Sequence, residues 1–336
     1  MAGFRGSPRR LGVTSLSEAA ARPSGSAVEG RFHHHAFLYA SPHEFFDGTV
    51  AFLEAGIAAG DVALVALSAG KIDGLRSRLG DGAAQVEFLD MADVGRNPAA
   101  IIPAWHRFVD AQREAGRTFR GIGEPIWASR SEDELVECER HEALLNLAFH
   151  DGPPWHLLCP YDVTALGADV LEEARRNHPT VCDRSLGYAP SGSYRGLEEI
   201  DAPFDAPLPD APSDAVVLSF GPGPLQSVRR FVYGEAARFG LLRERLDDLV
   251  LAVSEVVGNS MEHGGGTGVV RLWHAGAKVV CEVRDAGFIA DPLAGRRPAR
   301  RDDIRGRGLW IANHLCDLVQ VRTSPTGSVV RLHVTA

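Results

Sequence analysis

The chain has 336 residues, of which 45% are apolar and 24% charged, so it is long enough for two domains with buried cores. The formal net charge of -9 argues against binding to nucleic acid, because affinity for a phosphate backbone depends on clustered lysine and arginine. No apolar run approaches the roughly 20 residues that span a bilayer, and residues 1–30 lack the apolar segment of a secretory signal. Five widely spaced cysteines without a CxxC pair are typical of reduced thiols. We therefore expect a cytoplasmic protein that contacts neither nucleic acid nor membrane.

The first half of the chain predicts a parallel sheet covered by helices. We expect residues 1–30 to be a disordered leader and residues 31–183 to form an α/β domain. Short apolar runs alternate there with segments of helical period, which favours a three-layer domain with a mainly parallel sheet. The predicted strands are Ala36–Tyr39, Val62–Leu67, Val86–Leu89, Phe119–Ile122 and His156–Cys159, and the predicted helices are Glu44–Gly56, Ala99–Glu114 and Ser131–Phe149. Residues 184–213 are rich in proline, glycine, serine and acidic residues, which predicts a linker.

Residues 214–336 predict a second α/β domain, built as a two-layer sandwich of helices on a sheet. Its predicted elements are strand Ala215–Phe220, helix Leu225–Phe239, helix Arg243–His263, the strand pair Val269–Trp273 and Val279–Val283, helix Gly308–Asp317, and the hairpin strands Val319–Thr323 and Ser328–Val334. A loop rich in arginine and glycine precedes the last of these helices.

The helix predicted over residues 243–263 has one polar face. At about 100° per residue its apolar positions cluster on one side, and Glu255, Asn259 and Glu262 fall on the opposite side. Glu255 and Asn259 are four residues apart, so their side chains stand one above the other. Taken alone, this face is typical of a solvated helix surface.

Two glycine-containing segments change this interpretation. Asp285-Ala-Gly287 directly follows a predicted strand, where an aspartate can accept a hydrogen bond from the exocyclic amine of adenine and the glycine allows close backbone approach. Gly306-Arg-Gly308-Leu309 opens a predicted helix, and the backbone N–H groups at a helix N-terminus are free to bind phosphate.

In this order, the three segments resemble the ATP-binding motifs of the GHKL ATPases, the class of gyrase, Hsp90, the histidine kinases and MutL. Residues 254–259 with His263-Gly264 are similar to the N box, residues 285–287 to the G1 box and residues 306–309 to the G2 box. The resemblance implies the Bergerat ATP-binding fold, with Glu255 as the general base and Asn259 as a ligand of Mg²⁺. The residues it implies at the nucleotide are Asn259, His263, Asp285, Gly287, Arg305, Gly306, Arg307, Gly308 and Leu309.

The resemblance also implies that residues 288–305 form a lid over ATP. Its arginines suit a triphosphate, because guanidinium groups bind phosphate oxygens bidentately, but a solvated basic loop is an equally good interpretation. They are Arg296, Arg297, Arg300, Arg301 and Arg305. Thr323 and Thr326 loosely match a hydroxyl that the family often places near the adenine. The acidic Glu262 precedes His263 where the family usually has a basic residue, and it adds negative charge near the expected phosphate site.

Within this class, residues 216–334 resemble the serine/threonine kinases that act as anti-sigma factors. That resemblance implies ATP and Mg²⁺ as cofactors, a sigma factor as partner, and phosphorylation of a serine on an antagonist of the STAS fold. A sensor histidine kinase is disfavoured, because no histidine-bearing dimerisation helix precedes the domain. A non-catalytic, ATP-dependent module that binds a sigma factor and a histidine-kinase-like sensor remain as alternatives, and a homodimer remains open.

Residues 33–183 resemble the MEDS domain, named after sensory proteins of methanogens and methylotrophs. The resemblance lies in residues 35–39, 123–127 and 158–162, in the helix that carries Glu142 and Asn146, and in Asn177-His-Pro179. It implies a sensory domain that binds a small-molecule ligand on a scaffold like that of the nucleoside triphosphatases. Because the sequence contains no GxxxxGK[ST] motif, we expect no second ATP in this domain.

Two groups of residues in this first domain are candidates for ligand binding. Open α/β sheets hold ligands at strand ends, where the sequence places Glu124, Trp127, Cys159, Tyr161 and Asp162. The two aromatics are also typical of a core, and Cys159 is first a buried thiol. In the run of residues 33–35, alternate side chains share a face of the strand, so at most the first and third histidines can share a metal, and a structural role is favoured.

Overall fold

The computed structural model describes residues 32–183, 187–297 and 307–336, and it places them in two sheets, one of seven strands and one of five. The predicted leader, and Arg300, Arg301, Arg305 and Gly306 of the predicted lid and G2 box, lie outside the described residues. None of the helices within the described residues is long and apolar enough to cross a membrane.

The first sheet has the strand order β3-β2-β4-β5-β1-β6-β7, and all neighbouring strands are parallel except β6 and β7. Its strands are β1 (Phe32–Tyr39), β2 (Val62–Leu67), β3 (Val86–Asp90), β4 (Phe119–Gly123), β5 (Trp155–Asp162), β6 (Thr180–Asp183) and β7 (Gly187–Pro190). Its helices are α1 (Pro42–Ala58), α2 (Ala69–Leu79), α3 (Met91–Val94), α4 (Ile101–Glu114), α5 (Glu132–Ala148) and α6 (Ala168–Asn177). Every residue of β4 is buried, as expected for a parallel strand covered on both faces. The predicted three-layer domain with a mainly parallel sheet is confirmed.

Helix α5 has nine buried residues, more than any other helix of the first domain. It begins with a capping box, in which Ser131 and Glu134 satisfy each other's backbone N–H groups. Its buried side chains include charged ones, among them Glu137, Arg140 and Glu142. This helix is buried on more than one side, because it lies between the first sheet and the second domain.

The segment predicted as a linker, residues 184–213, contains ordered structure. Strand β7 pairs antiparallel with β6 and so extends the first sheet. Ile200 and Phe204 are buried in a small cluster with Ala143 of α5. Asp201 accepts two hydrogen bonds from the Arg140 guanidinium, at 2.7 and 2.8 Å. The segment therefore packs against the first domain, which its proline- and glycine-rich composition did not predict.

The second sheet is antiparallel, with the order β11-β12-β10-β9-β8. Its strands are β8 (Val216–Phe220), β9 (Gly268–Ala275), β10 (Lys278–Asp285), β11 (Leu318–Ser324) and β12 (Gly327–Thr335), and its helices are α7 (Gln226–Arg238), α8 (Arg243–His263) and α9 (Gly308–Leu315). The apolar faces of these helices and of the sheet form one core, which contains Val232, Leu249, Val253, Cys281 and Leu332. The predicted two-layer sandwich is confirmed.

Candidate functional site

A cavity of about 470 Å³ opens in the second domain between α8, the end of β10 and the start of α9. This volume lies within the range of small-molecule and cofactor sites. Of the residues expected at a nucleotide, its wall includes Asn259, His263, Asp285, Gly287, Arg307 and Leu309. Three segments that are 20 residues or more apart in sequence thus meet around one space.

Asn259 lies on the cavity side of α8, beside the first turn of α9. A Cβ atom added to Gly308 would lie 2.6 Å from Nδ2 of Asn259, so any other residue there would displace the Asn259 amide. No hydrogen bond engages the Asn259 amide within the described part of the chain. Glu255, one turn earlier on α8, is half-buried but is not part of the cavity wall.

The carboxylate of Asp285 is held in place at the end of β10. One oxygen accepts a hydrogen bond from the Ser260 hydroxyl, and the other accepts one from the Gly287 N–H at 2.7 Å. A Cβ atom on Gly264 would lie 2.6 Å from Cγ of Asp285, and one on Gly287 would lie 2.8 Å from Cα of Gly264. These two glycines therefore bring the loop after β10 against the end of α8, with the carboxylate at the cavity wall.

Hydroxyl groups on β11 and β12 hold the loop after β10 in place. The Ser328 hydroxyl donates to the carbonyl of Gly287 at 2.9 Å and lines the cavity. Thr323 accepts a hydrogen bond from the N–H of Ile289 at 3.0 Å and lies outside the cavity, and Thr326 is at the exposed tip of the hairpin. Ser260 and Ser328 were not predicted as residues of the site, since a lone serine carries no sequence signal of such a role.

The two described arginines of the predicted lid, Arg296 and Arg297, point in different directions. Arg297 is exposed, pairs with Asp291 at 3.0 Å and lines the cavity. Arg296, for which a triphosphate ligand and a solvated basic loop were equally good interpretations, is buried outside the cavity wall and donates to Glu137 of α5 at 3.2 Å. Burial and the nearby Arg140 lower the pKa of Arg296 to about 10, while Glu137 acts in the opposite direction. Neither interpretation fits this position, because the guanidinium is buried against the first domain.

The same loop and α9 are also attached to the first domain through uncharged contacts. Leu293 is 1% exposed and belongs to the apolar core of the first domain. Asn313 of α9 donates to the carbonyl of Gly295 at 3.0 Å, and its own backbone carbonyl accepts from Asn97 of the first domain at 2.9 Å. A contact chain therefore runs from the first domain through Asn313 to the loop that borders the cavity.

Helix α5 crosses the face of the second sheet that the helices leave open. Glu137 accepts from Arg322 of β11 at 2.8 Å, and Arg140 donates to the carbonyl of Val321 at 2.6 Å. At the first turn of α5, Glu134 pairs with Lys278 of β10 at 2.9 Å. One helix of the first domain thus contacts the sheet and, through Arg296, the loop beside the cavity.

The strand-end residues of the first domain do not form one shared pocket. Glu124 follows β4 and is buried, where it accepts from Lys71 at 2.6 Å and from the Tyr39 hydroxyl at 2.9 Å. Burial raises the pKa of Glu124, and Lys71 opposes that shift. Cys159 and Tyr161 are buried inside the domain, and Asp162 hydrogen-bonds within its own turn.

The three consecutive histidines of β1 point to opposite faces of the sheet. The rings of His33 and His35 stack with that of His156, and His35 Nε2 lies 3.0 Å from His156 Nδ1. His34 points the other way and is buried. As expected from strand geometry, the first and third histidines share one face of the sheet and the second lies on the other. The second, His34, makes more polar contacts than the other two.

Comparison with protein-family models finds two matches that do not overlap. Residues 33–179 match the model described as the MEthanogen/methylotroph, DcmR Sensory domain (MEDS). Residues 219–334 match the model described as the histidine kinase-like ATPase domain.

Among solved structures, the chain is similar to the RsbU and RsbW domains of a protein from Mycobacterium tuberculosis. The match has 23% sequence identity and a TM-score of 0.29, and it covers 37% of this chain and 33% of that chain. The match therefore spans about a third of the length of that protein. No curated protein matches the chain.

Proposed function

We propose that this chain is a signalling switch in which ATP bound in the second domain is under the control of the first, because its two parts match a MEDS sensory domain and a histidine kinase-like ATPase domain. The output we propose is that of an anti-sigma factor with serine/threonine kinase activity, acting on a STAS-type antagonist. The observation that carries the proposal is the meeting of Asn259, Asp285 and the start of α9 around one cavity.

The cavity has the groups that an adenine nucleotide needs. The Asp285 carboxylate keeps lone pairs free after accepting from Ser260 and Gly287, and these can accept a hydrogen bond from the exocyclic amine of adenine. The first N–H groups of α9 have no partner within the helix, which begins beside Asn259. We propose that the carboxylate binds the base and that these N–H groups bind the phosphates.

Asn259 is the residue that we propose as the protein ligand of Mg²⁺. Its amide is half-exposed at the cavity wall, and an amide oxygen is a ligand that Mg²⁺ accepts. When bound, the ion would offset the negative charge of the phosphates. Arg307 and Arg297 also border the cavity, and Arg297 is paired there with Asp291.

Glu255 is the residue that we propose as the general base, and its position also favours an alternative. A base must come within hydrogen-bond reach of the hydroxyl that attacks the γ-phosphate, directly or through one water. Glu255 lies one turn from Asn259 but outside the described cavity wall. That position favours the alternative of a non-catalytic module, in which ATP shapes a surface that holds a sigma factor.

Control by the first domain is supported by where α5 makes its contacts. Glu137 pairs with two buried guanidinium groups, that of Arg296 in the loop that borders the cavity and that of Arg322 on the sheet. A ligand-dependent shift of α5 would move the loop that borders the nucleotide, since Leu293 and Arg296 are both anchored on the first domain. The helix is thus the route by which we propose that the two domains communicate.

Replacing Glu137 with glutamine is expected to weaken the contact between the domains. Two buried guanidinium groups would lose their counter-charge, and breaking a buried ion pair in this way costs about 3 kcal/mol or more of the free energy of unfolding. Denaturant unfolding of the full chain measures this loss. The matched control is Glu134→Gln on the same helix, which keeps the capping box and loses only the partly exposed pair with Lys278, at a cost of about 1 kcal/mol or less. Equal losses in the two variants would contradict a special role of Glu137.

The proposed activity is tested by incubating the full chain with γ-labelled ATP and purified STAS-fold proteins from the same cell. The kinase proposal expects acid-stable label on a serine of one STAS protein. ATP-dependent binding of a sigma factor without any label would support the non-catalytic module. Acid-labile label on the chain itself would contradict both and support a histidine-kinase-like sensor.

A further inference from the structure

Four potential metal ligands meet in the interior of the first domain, far from the nucleotide cavity in the fold. They come from β1, α5, β5 and the end of α6, and we call them the buried cluster: His34, Glu142, Cys159 and His178. Each offers one ligand atom, and all four atoms lie within 4.8 Å of one another. None of the four side chains is more than 1% exposed.

In both histidines of the cluster, a hydrogen bond at Nδ1 leaves Nε2 as the nitrogen that faces the other ligands. The Nδ1 of His178 lies 2.7 Å from the backbone carbonyl of Ala174, which only accepts hydrogen bonds. The Nδ1 of His34 lies 3.2 Å from Oδ1 of Asn146, whose amide nitrogen is occupied in donating to backbone carbonyls. Both Nδ1 atoms therefore carry a hydrogen, which leaves Nε2 of each ring as the nitrogen directed into the cluster.

These Nε2 atoms face a carboxylate and a thiol. His34 Nε2 lies 3.1 Å from Oε2 of Glu142 and 3.3 Å from Sγ of Cys159. His178 Nε2 lies 3.3 Å from the same carboxylate oxygen. Within the part of the chain that the structure describes, Oε1 of Glu142 is buried and has no hydrogen-bond partner. A cation bound among these atoms would give this buried carboxylate oxygen the partner that it lacks.

We propose that the buried cluster binds one divalent transition-metal ion, and that Zn²⁺ is the ion that best matches its donors. Imidazole nitrogen, thiolate sulfur and carboxylate oxygen are the ligands of tetrahedral Zn²⁺. Bonds of about 2.0–2.3 Å place such ligand atoms roughly 3.3–3.8 Å apart, so the cluster needs to contract by only about 1 Å at its widest pair. A thiolate and a carboxylate neutralise the charge of the ion, and the Nδ1 hydrogen bonds give each imidazole the outer partner that metal-bound histidines have.

The ion would tie α5 to the rest of the first domain. Glu142 lies on α5, five residues after Glu137 and two residues after Arg140, which both contact the second domain. The other three ligands lie on the central strands and at the end of α6. Metal binding would therefore set the position of the helix that reaches the nucleotide domain. This inference does not depend on the proposed kinase activity, because metal binding is measured without ATP.

The test uses the full chain, stripped of metal with a chelator and titrated with Zn²⁺ or Co²⁺. We expect one equivalent of Zn²⁺ to bind and to raise the unfolding temperature, because a ligand that binds only the folded state stabilises it. With Co²⁺ we expect the near-ultraviolet charge-transfer band of a thiolate ligand together with the visible bands of tetrahedral cobalt. A chain that binds neither ion, or a cobalt spectrum without the thiolate band, would overturn the proposal.

A pair of cysteine variants locates the site. Cys159→Ser is expected to weaken Zn²⁺ binding by about 100-fold or more and to remove the thiolate band. The matched control is Cys138→Ser, a substitution of another fully buried thiol, which donates to the carbonyl of Pro125 outside the cluster and should leave both readouts unchanged. His33→Gln serves as a control for adventitious binding to the histidine run. If that variant loses the metal and Cys159→Ser keeps it, the proposed site is wrong.

Discussion

The Asn259→Ala variant is expected to bind ATP about 100-fold more weakly than the wild-type chain when Mg²⁺ is present, a loss of roughly 2.7 kcal/mol. The amide of Asn259 is half-exposed at the cavity wall beside Gly308, where it would ligate the ion that offsets the phosphate charge. Because alanine offers no ligand and fills less space, the variant should lose this contact without straining α8. Isothermal titration of the full chain with ATP measures the affinity.

The same titration without Mg²⁺ is the control for this role. In a chelating buffer, wild type and Asn259→Ala should bind ATP with similar, weak affinity, because the contact through the ion is absent from both. Unchanged circular dichroism would show that the helix remains folded. A variant that binds Mg²⁺-ATP as tightly as wild type would contradict the assignment of Asn259 as the metal ligand.

The Glu255→Gln variant is expected to separate ATP binding from phosphotransfer. Glutamine keeps the shape of the side chain but cannot accept a proton, so transfer to a STAS protein should fall by about 10²–10⁴-fold. ATP affinity should stay within roughly threefold of wild type, because Glu255 lies outside the described cavity wall. Single-turnover transfer of labelled phosphate, with ATP saturating, measures the effect.

Glu244→Gln is the matched control on the same helix. Glu244 is exposed on the first turn of α8, at the end of the helix remote from Asn259, so this variant should transfer phosphate at the wild-type rate. If Glu255→Gln transfers phosphate as fast as Glu244→Gln, the carboxylate is not the general base. The half-buried position of Glu255 would then have a structural explanation only.

The sequence predicts the second domain well, because its elements are short and regular. Short apolar runs in β9, β10 and β12 and the apolar stripe of α8 indicate strands and a helix, respectively. The relation of Asn259 to Asp285 is predicted by the order of the motifs, and the structure places both at one cavity. The role of Arg296 is missed, because its partner Glu137 is 159 residues away in sequence.

The first domain is harder to predict where its residues serve the contact with the second. Periodicity would assign the charged side chains of helix α5 to the solvent. They are buried instead, because their partners lie on β11 and in the loop after β10. Strand β7 and the buried Ile200 lie in a segment whose composition predicts a linker. Composition reports average polarity, whereas this segment is held by specific contacts, among them the buried Ile200 and Phe204 and the ion pair of Asp201 with Arg140.

A competition between ATP and GTP on the full chain tests the central claim most directly. The Asp285 carboxylate accepts from an amine, which adenine has at the position where guanine has a carbonyl, so ATP should bind about 100-fold more tightly than GTP or better. Asp285→Asn should lose most of that preference, while Asp291→Asn, which changes an exposed carboxylate on the same cavity, should keep it. Equal binding of ATP and GTP by the wild-type chain, or an undiminished preference in Asp285→Asn, would contradict an adenine site at the end of β10.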